Sequence, residues 1–333
     1  MLKFIIVGDI HWRGTNPRAR TDHYVGALTL KLLEIEELSR EHNAPVIQTG
    51  DIFNSPNTAW WVVGELIRIL NYFNNPIITI PGNHDIFGSN LASVARTPYG
   101  LMQMIGEIND ACRDGFVWQS CPGPPPWVRI TGHGYTAETD TPAGANQFMA
   151  PELPAHRDQP TAKIHIVHAN LMHSSPGHDM RHTLIDQVET NADVVISGHY
   201  HPGFGVHRRE DGVLFVNPGA LARTAASASD LTREVQVALL TVDKDGRCDA
   251  ELVPLLSARP GHEVLSREHL DAAEEREERI ADFLGLLAEE GAARFMEMQE
   301  IIEDISARDK LPEVVKKEAL RRLSMAKEAL GVQ

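Results

Sequence analysis

Apolar and polar positions along the first two-thirds of the chain follow two alternating rhythms. Leu2–Val7 is a nearly continuous apolar run of strand length, whereas Tyr24–Glu41 spaces its apolar residues three and four apart, as an amphipathic helix does. Pro45–Thr49 predicts a second strand, Trp60–Phe73 a second helix and Pro76–Ile80 a third strand. This succession is the rhythm of a sheet covered by helices, and it predicts an α/β fold. After the Pro-rich connection Cys121–Pro126, strands are predicted at Trp127–Thr131 and Lys163–His168, a helix at about Arg181–Glu189 and a strand at Asp193–Ser197. Phe204–Arg209 and Val213–Val216 read as a hairpin through Glu210, Asp211 and Gly212.

The pattern then changes. Glu234–Asp243 and Arg247–Leu255 flank Lys244-Asp245-Gly246 and predict a longer hairpin. From about His269 the chain is charged and helical, with Ile280, Leu284, Leu287, Gly291, Phe295, Met298, Ile302 and Ile305 on one helical face. A last helix, about Glu313–Leu330, follows Leu311-Pro312, with proline near its first turn. Packing on the preceding domain, docking on a partner and pairing with a second copy are all open for this apolar stripe.

Composition narrows the reading. With 333 residues, 42 % of them hydrophobic, the chain can bury one large α/β core and an accessory piece. The three cysteines, Cys112, Cys121 and Cys248, are too scattered for a disulfide framework or a metal knuckle. The N-terminal apolar run is shorter than a signal sequence requires, and no stretch reaches the roughly 20 residues of a membrane span. The expectation is a soluble cytoplasmic protein with no membrane partner. A net charge of −15 argues against stand-alone binding to nucleic acid, although bound dications or a partner subunit would offset it.

The chemistry-bearing residues stand just after predicted strands. Asp9 and His11 follow the first, Asp51 the second, and Asn83, His84 and Asp85 the third; His168 closes another, and His199 and His201 follow a further one. In an open α/β sheet the loops at the carboxyl ends of the strands converge on one crevice, so these clusters would share a rim. Oxygen and imidazole donors in this mixture suit Mn²⁺, Fe²⁺ or Zn²⁺ better than Ca²⁺ or Mg²⁺. Two such ions lie close enough to stabilise both oxygens of an in-line displacement only if a carboxylate bridges them. Asp51, preceded by a glycine, is the candidate bridge.

Asp-x-His, Gly-Asp, Gly-Asn-His-Asp, His and Gly-His-x-His, in this order, resemble the signature of the calcineurin-like metallophosphoesterases. The resemblance implies a four-layer αββα sandwich and a site with two divalent metal ions, Mn²⁺ foremost. It implies that Asp9, His11, Asp51 and His201 hold one ion and Asp51, Asn83, His168 and His199 the other. His84 would protonate the leaving oxygen or stabilise charge developing there, and Asp85 would orient His84. Within the superfamily, Lys3–His11, Gln48–Phe53, Ile80–Asp85 and Asp193–His201 resemble SbcD-type nuclease subunits, including phage-encoded ones that act in the host cytoplasm. That resemblance implies a catalytic domain over 1–228, a reduced capping hairpin over 229–262 and a helical region over 263–333. The implied partners are DNA ends and an SMC-like coiled-coil ATPase docked on the C-terminal helices. Asn54 stands where such nucleases often carry His or Asp, which bears on how the substrate phosphate is positioned. The competing reading is a small-molecule phosphodiesterase or protein phosphatase on the same scaffold.

Other features have two readings each. Arg223, in the run Asn217–Arg223, is a candidate phosphate contact as a fork donor. His133, and His165, His173, His178 and His182 around His168, could face the rim or serve core and loop structure. Trp60-Trp61 is either a base-stacking pair or helix-sheet packing.

Overall fold

The computed structural model describes residues 1–112, 116–119, 127–151, 162–177, 179–268 and 295–330, so Cys121–Pro126, His178 and the Ile280–Gly291 part of the apolar stripe lie outside the described residues. The chain divides into two compact units, Met1–Arg267 and Glu268–Gln333.

The first unit opens with β1 (Leu2–Val7), α1 (Tyr24–His42), β2 (Val46–Gln48), α2 (Trp60–Leu70), β3 (Ile77–Thr79), α3 (Pro98–Met104) and β4 (Ile108–Asp110). It continues with β5 (Phe116–Gln119), β6 (Trp127–His133), β7 (Ala162–Ala169), the short β8 (Leu171–Met172) and β9 (Thr183–Leu184), then β10 (Val194–His199), β11 (Gly205–Arg208) and β12 (Leu214–Asn217). Last come α4 (Ala228–Thr232), β13 (Gln236–Val242), β14 (Cys248–Pro254) and α5 (Gly261–Val264). The strands form two six-stranded sheets, in the orders β14-β13-β1-β2-β3-β4 and β11-β12-β10-β7-β6-β5.

The alternation of side chains along β1 explains how the sheets stack. Phe4 and Ile6 point into an apolar layer shared with Ile130, Ile164, Ile166 and Ile196 of the second sheet. Ile5 and Val7 point the other way, into a layer covered by α1, α2 and α3. A third layer lies on the outer face of the second sheet, where Phe148, Ile185 and Val188 cover Val195 and Phe215. The fold is therefore an α/β sandwich with mostly parallel sheets. Its outermost layer is abbreviated to 3-10 turns at Pro142–Phe148 and Ile185–Gln187.

Two expectations change here. The helix predicted at Arg181–Glu189 is instead β9 and one 3-10 turn, because Thr183 is held outside a helix: its amide donates to the Asn170 carbonyl at 3.0 Å and its hydroxyl to Asp140 Oδ1 at 2.7 Å. The hairpin expected as a reduced cap is β13–β14, and it belongs to the first sheet. β13 pairs antiparallel with β1 from Leu2 opposite Val242 to Ile6 opposite Ala238. Its residues Ala238, Leu240 and Val242 join the layer between the sheets, so burial fixes it there rather than over the site.

In the second unit, α6 (Phe295–Arg308) and α7 (Glu313–Leu330) are joined by a short turn in which the Leu311 amide donates to the Ser306 carbonyl at 3.0 Å. Among the described residues no helix is long and apolar enough to cross a membrane.

Candidate metal centre

Every ligand-type residue singled out above lies on a loop or strand end on one side of the two sheets, and the side chains converge. Asp9, His11 and His201 bring their donor atoms within 4.8 Å of one another, and so do Asp51, His168 and His199; His11, Asp51 and His84 form a third such group. His11 Nε2 lies 2.9 Å from His201 Nε2 and 3.7 Å from Asp51 Oδ2. His168 Nε2 lies 3.3 Å from the same Asp51 oxygen and 3.1 Å from Asn83 Oδ1, and His201 Nε2 lies 3.4 Å from Asp9 Oδ2. Asp51 thus stands between two clusters, as a bridging carboxylate must.

The backbone is bent to achieve this. His11, Asp51 and His199 have φ of 48°, 55° and 70°, in the left-handed region that non-glycine residues rarely occupy. Gly50, with φ of 99°, makes the turn before Asp51. At Gly82 the need is closeness: a Cβ there would lie 2.1 Å from Asp51 Oδ1. The His84 amide donates to that same oxygen at 2.7 Å, and His168 is aimed by its Nδ1, 2.8 Å from the Thr49 carbonyl. Asp9 accepts from the Thr49 hydroxyl at 3.0 Å and from the His199 amide at 3.1 Å.

Electrostatics favours cations. Burial pushes His11 and His199 down to about 4, which leaves both imidazoles neutral with a lone pair to offer. Burial opposes charge on His168 as well, but the Asp51 carboxylate beside it pulls it up to about 10. Asp9 and Asp51 are held below the ordinary carboxylate value: burial would raise both, and the neighbouring histidines outweigh it. Asp51 Oδ2 is buried without a hydrogen-bond donor. This buried anionic oxygen forms no hydrogen bond and is balanced by the charge on His168 at 3.3 Å, with His11 on its other side, so a metal cation that displaces the His168 proton fits there.

The family model for calcineurin-like phosphoesterases matches residues 2–203, a span that contains every one of these ligands. The chain belongs to that family. As a calcineurin-like phosphoesterase it is a metal-dependent phosphoester hydrolase with a candidate dinuclear metal site at Asp9, His11, Asp51, His168 and His199. Among solved structures it is similar to a 5'-nucleotidase from Staphylococcus aureus described as putative, at 15 % identity and TM-score 0.43, covering 78 % of this chain and 55 % of that one. It is also similar to the NAD nucleotidase of Haemophilus influenzae (12 %, TM-score 0.41, 76 % and 49 %) and to a 5'-nucleotidase precursor from Thermus thermophilus (13 %, TM-score 0.40, 78 % and 56 %). The chain spans about half the length of these three proteins, and likeness at this level carries no argument about substrate. No curated protein matches the sequence.

Three expectations about neighbouring residues are corrected. The Asp85 carboxylate does not reach for His84; it accepts the amides of Ile52, Phe53 and Gly82 at 3.2, 2.9 and 3.0 Å and so ties the second ligand loop to the third. The contact that aims His84 comes from Asn54, whose carbonyl lies 2.9 Å from His84 Nδ1. Arg223 is buried, and its guanidinium donates to the carbonyls of Arg259 and Arg233 rather than to any group of the site. His133 turns its Nδ1 to the Gly134 carbonyl at 2.8 Å, and His165 is a core residue held by Thr131 and the Gln147 carbonyl. Trp60 and Trp61 are both exposed, at 67 % and 60 %, which excludes core packing for either.

One contributor escaped the sequence, and another lies in the run Asn217–Arg223 but acts through its backbone rather than through Arg223. Tyr135 leans its ring on His199 and His168, at centroid distances of 5.3 and 6.1 Å. Its place two residues after His133, in a Gly-His-Gly-Tyr run at a strand end, was the available signal. The other is the strap 220–222, whose amides at Leu221 and Ala222 donate to the Asp9 carbonyl at 2.9 and 3.2 Å and at Ala220 to the His201 carbonyl at 2.9 Å. Backbone contacts of this kind leave no residue-type signature.

Proposed function

We propose that this phosphoesterase is a two-metal phosphodiesterase acting on DNA ends, the SbcD-like nuclease subunit of an end-processing complex. The phosphodiesterase reading is carried by the Asp51 carboxylate, whose buried Oδ2 faces His11 on one side and His168 on the other. Asp9, His11, Asp51 and His201 would hold one ion, and Asp51, Asn83, His168 and His199 the other. The donor set suits Mn²⁺, with Fe²⁺ and Zn²⁺ as alternatives. When bound, two such ions supply positive charge for the phosphoryl oxygens and acidify a water to a pKa of about 7. His84 Nδ1 donates to the Asn54 carbonyl, so Nε2 is the atom turned to the leaving oxygen; with a proton on both ring nitrogens it passes the Nε2 proton to that oxygen or stabilises the charge developing there. Asp85 holds the two loops that carry Asp51 and His84 in register.

DNA as substrate is supported by the SbcD-like segments and by the exposed tryptophans. The loop that aims His84 runs directly from Asn54 into α2, where Trp60 and Trp61 offer open indole faces. Aromatic faces of this kind stack bases with little regard to sequence, at about 1–3 kcal/mol per base. The partner reading is supported by α6 and α7, which expose Ile301, Ile305, Val314 and Val315 as a docking face for a coiled-coil ATPase. The net charge of −15 favours the second reading, a phosphodiesterase or phosphatase for small substrates.

One experiment separates them. Wild type and His84→Ala are compared with Mn²⁺ on bis-p-nitrophenyl phosphate and on 5′-labelled linear DNA, alone and with the cognate ATPase. The expected result is DNA cleavage by wild type and a loss of at least a hundredfold in His84→Ala, with metal still bound. Diester turnover with DNA untouched under both conditions would sink the nuclease reading and leave the small-substrate one.

A further inference from the structure

A second cationic cluster lies away from the ligands, in a cleft of about 860 Å³ between α1 and α2. Five Lys or Arg side chains line it against two carboxylates, in a chain whose net charge is −15. Arg20 is matched by Asp22, with two hydrogen bonds of 2.7 Å, and Arg68 and Arg259 have Glu65 and Glu263 at 3.9 and 3.1 Å. Lys31 and Arg223, each only 3 % exposed, have no such partner among the described residues. Lys31 gives one proton to the Leu221 carbonyl at 2.8 Å. Arg223 gives protons to two carbonyls, and its Nε is buried with no acceptor. Carbonyls supply dipoles but no charge, and the carboxylates that act on Lys31 and Arg223, Asp22 and Asp230, are already paired with Arg20 and Arg233; four cations therefore share two carboxylates, an imbalance that a bound anion would relieve. Burial and the neighbouring guanidinium groups push Lys31 down to about 7, as expected of crowded cations. The mouth of the cleft is different in character: Leu30 and Tyr72 are 57 % and 66 % exposed, and Ile69 lies beside them.

We propose that this cleft is a binding site for a phosphate-bearing anion, separate from the metal centre, with Lys31 and Arg223 holding the phosphate. The ligand is a phosphomonoester with a flat apolar body against Leu30 and Tyr72, or free phosphate. The site does not rest on the nuclease reading. It reaches the metal centre through one strap residue, Leu221, whose carbonyl accepts a hydrogen bond from Lys31 while its amide donates to the Asp9 carbonyl.

The test is isothermal titration of the full-length, Mn²⁺-loaded chain with inorganic phosphate, in wild type and in Asp51→Asn, Lys31→Met and Arg223→Gln. A phosphate site that persists in Asp51→Asn and weakens at least tenfold in Lys31→Met and Arg223→Gln is the expected result. Should Lys31→Met fail to fold, Arg223→Gln carries the same expectation. Absence of any phosphate binding in Asp51→Asn would overturn the proposal, and so would affinities within twofold of wild type in the two cleft variants. Adenosine 5′-monophosphate, titrated into Asp51→Asn so that it is not consumed, tells the two ligands apart. Tighter binding than phosphate assigns the site to a phosphomonoester, and equal binding to the free ion.

Discussion

A methyl group at position 82 would lie 2.1 Å from Asp51 Oδ1, inside any allowed contact. Gly82→Ala must therefore displace either the Asp51 carboxylate or the loop that carries Asn83 and His84. The expected outcome is a loss of more than tenfold in Mn²⁺ affinity by calorimetric titration, with far-ultraviolet circular dichroism unchanged. Asp85 acts at the same scale by other means. Its carboxylate gathers three amides, and burial together with the Asp51 carboxylate pushes it up to about 7, so at pH 8 and above Asp85→Asn trades an anionic acceptor for a neutral one and brings an N–H toward donors. Hydrogen bonds to charged groups contribute about 1.5–3 kcal/mol, which predicts a destabilisation of about 2 kcal/mol. For a domain of this size that lowers the melting temperature by roughly 4–8 °C, readable by scanning calorimetry. A variant melting with wild type would show that the loops hold their register without the charge.

Helix α1 carries one residue that its amphipathic pattern would not choose. Lys31 sits on the buried face with Leu28, Leu32 and Ile35, and Arg20, Arg223 and Arg233 lie near it, with Asp22 the opposing charge. The unfolded chain would hold this proton up to about 10.5, the folded chain only to about 7. Unfolding thus takes up a proton between those values, and stability rises with pH across that window. Urea titrations at several pH values from 7.5 to 9.5 should show the stability difference between wild type and Lys31→Met moving in favour of wild type as pH increases, by up to about 1.4 kcal/mol per pH unit. A difference independent of pH would mean that Lys31 keeps its charge in the fold. The sequence showed that α1 is a helix, and it placed β1, β2, β3, β7 and β10 to within a residue or two, because each combines strong periodicity with a turn signal. It missed α3 and β4, short elements that pack through Tyr99, Met102 and Ile108 without a long period to announce them. The Asp and His residues that converge on the candidate centre were legible because they cluster in short motifs at strand ends. The run Asn217–Arg223 was marked, but the roles of the Asn54 carbonyl and of the strap amides were not legible, since any residue type can supply a backbone group.

The two units make a prediction for the molecule as a whole. Met1–Arg267 contains both sheets, all the ligands and the β13–β14 pair, so a chain ending at Arg267 should keep Mn²⁺ binding and diester turnover within about twofold of full length. The same truncation should abolish co-purification with a coiled-coil ATPase. Diester turnover lost together with the helices would mean instead that Glu268–Gln333 supports the catalytic unit. One pairing in that unit also governs how the protein is made. As the chain is made, β1 finds β2, its near neighbour in sequence, early on one edge but needs the distant β13 on the other. At 5–20 residues per second, some 200 residues must follow β2 before β13 emerges, a wait of roughly 10–40 s. Throughout that interval Leu2–Val7 presents an open, apolar strand edge, the kind of surface on which nascent chains associate with one another. Expression yield should therefore depend on chaperones that hold nascent chains, and slower translation between residues 50 and 235 should lower it.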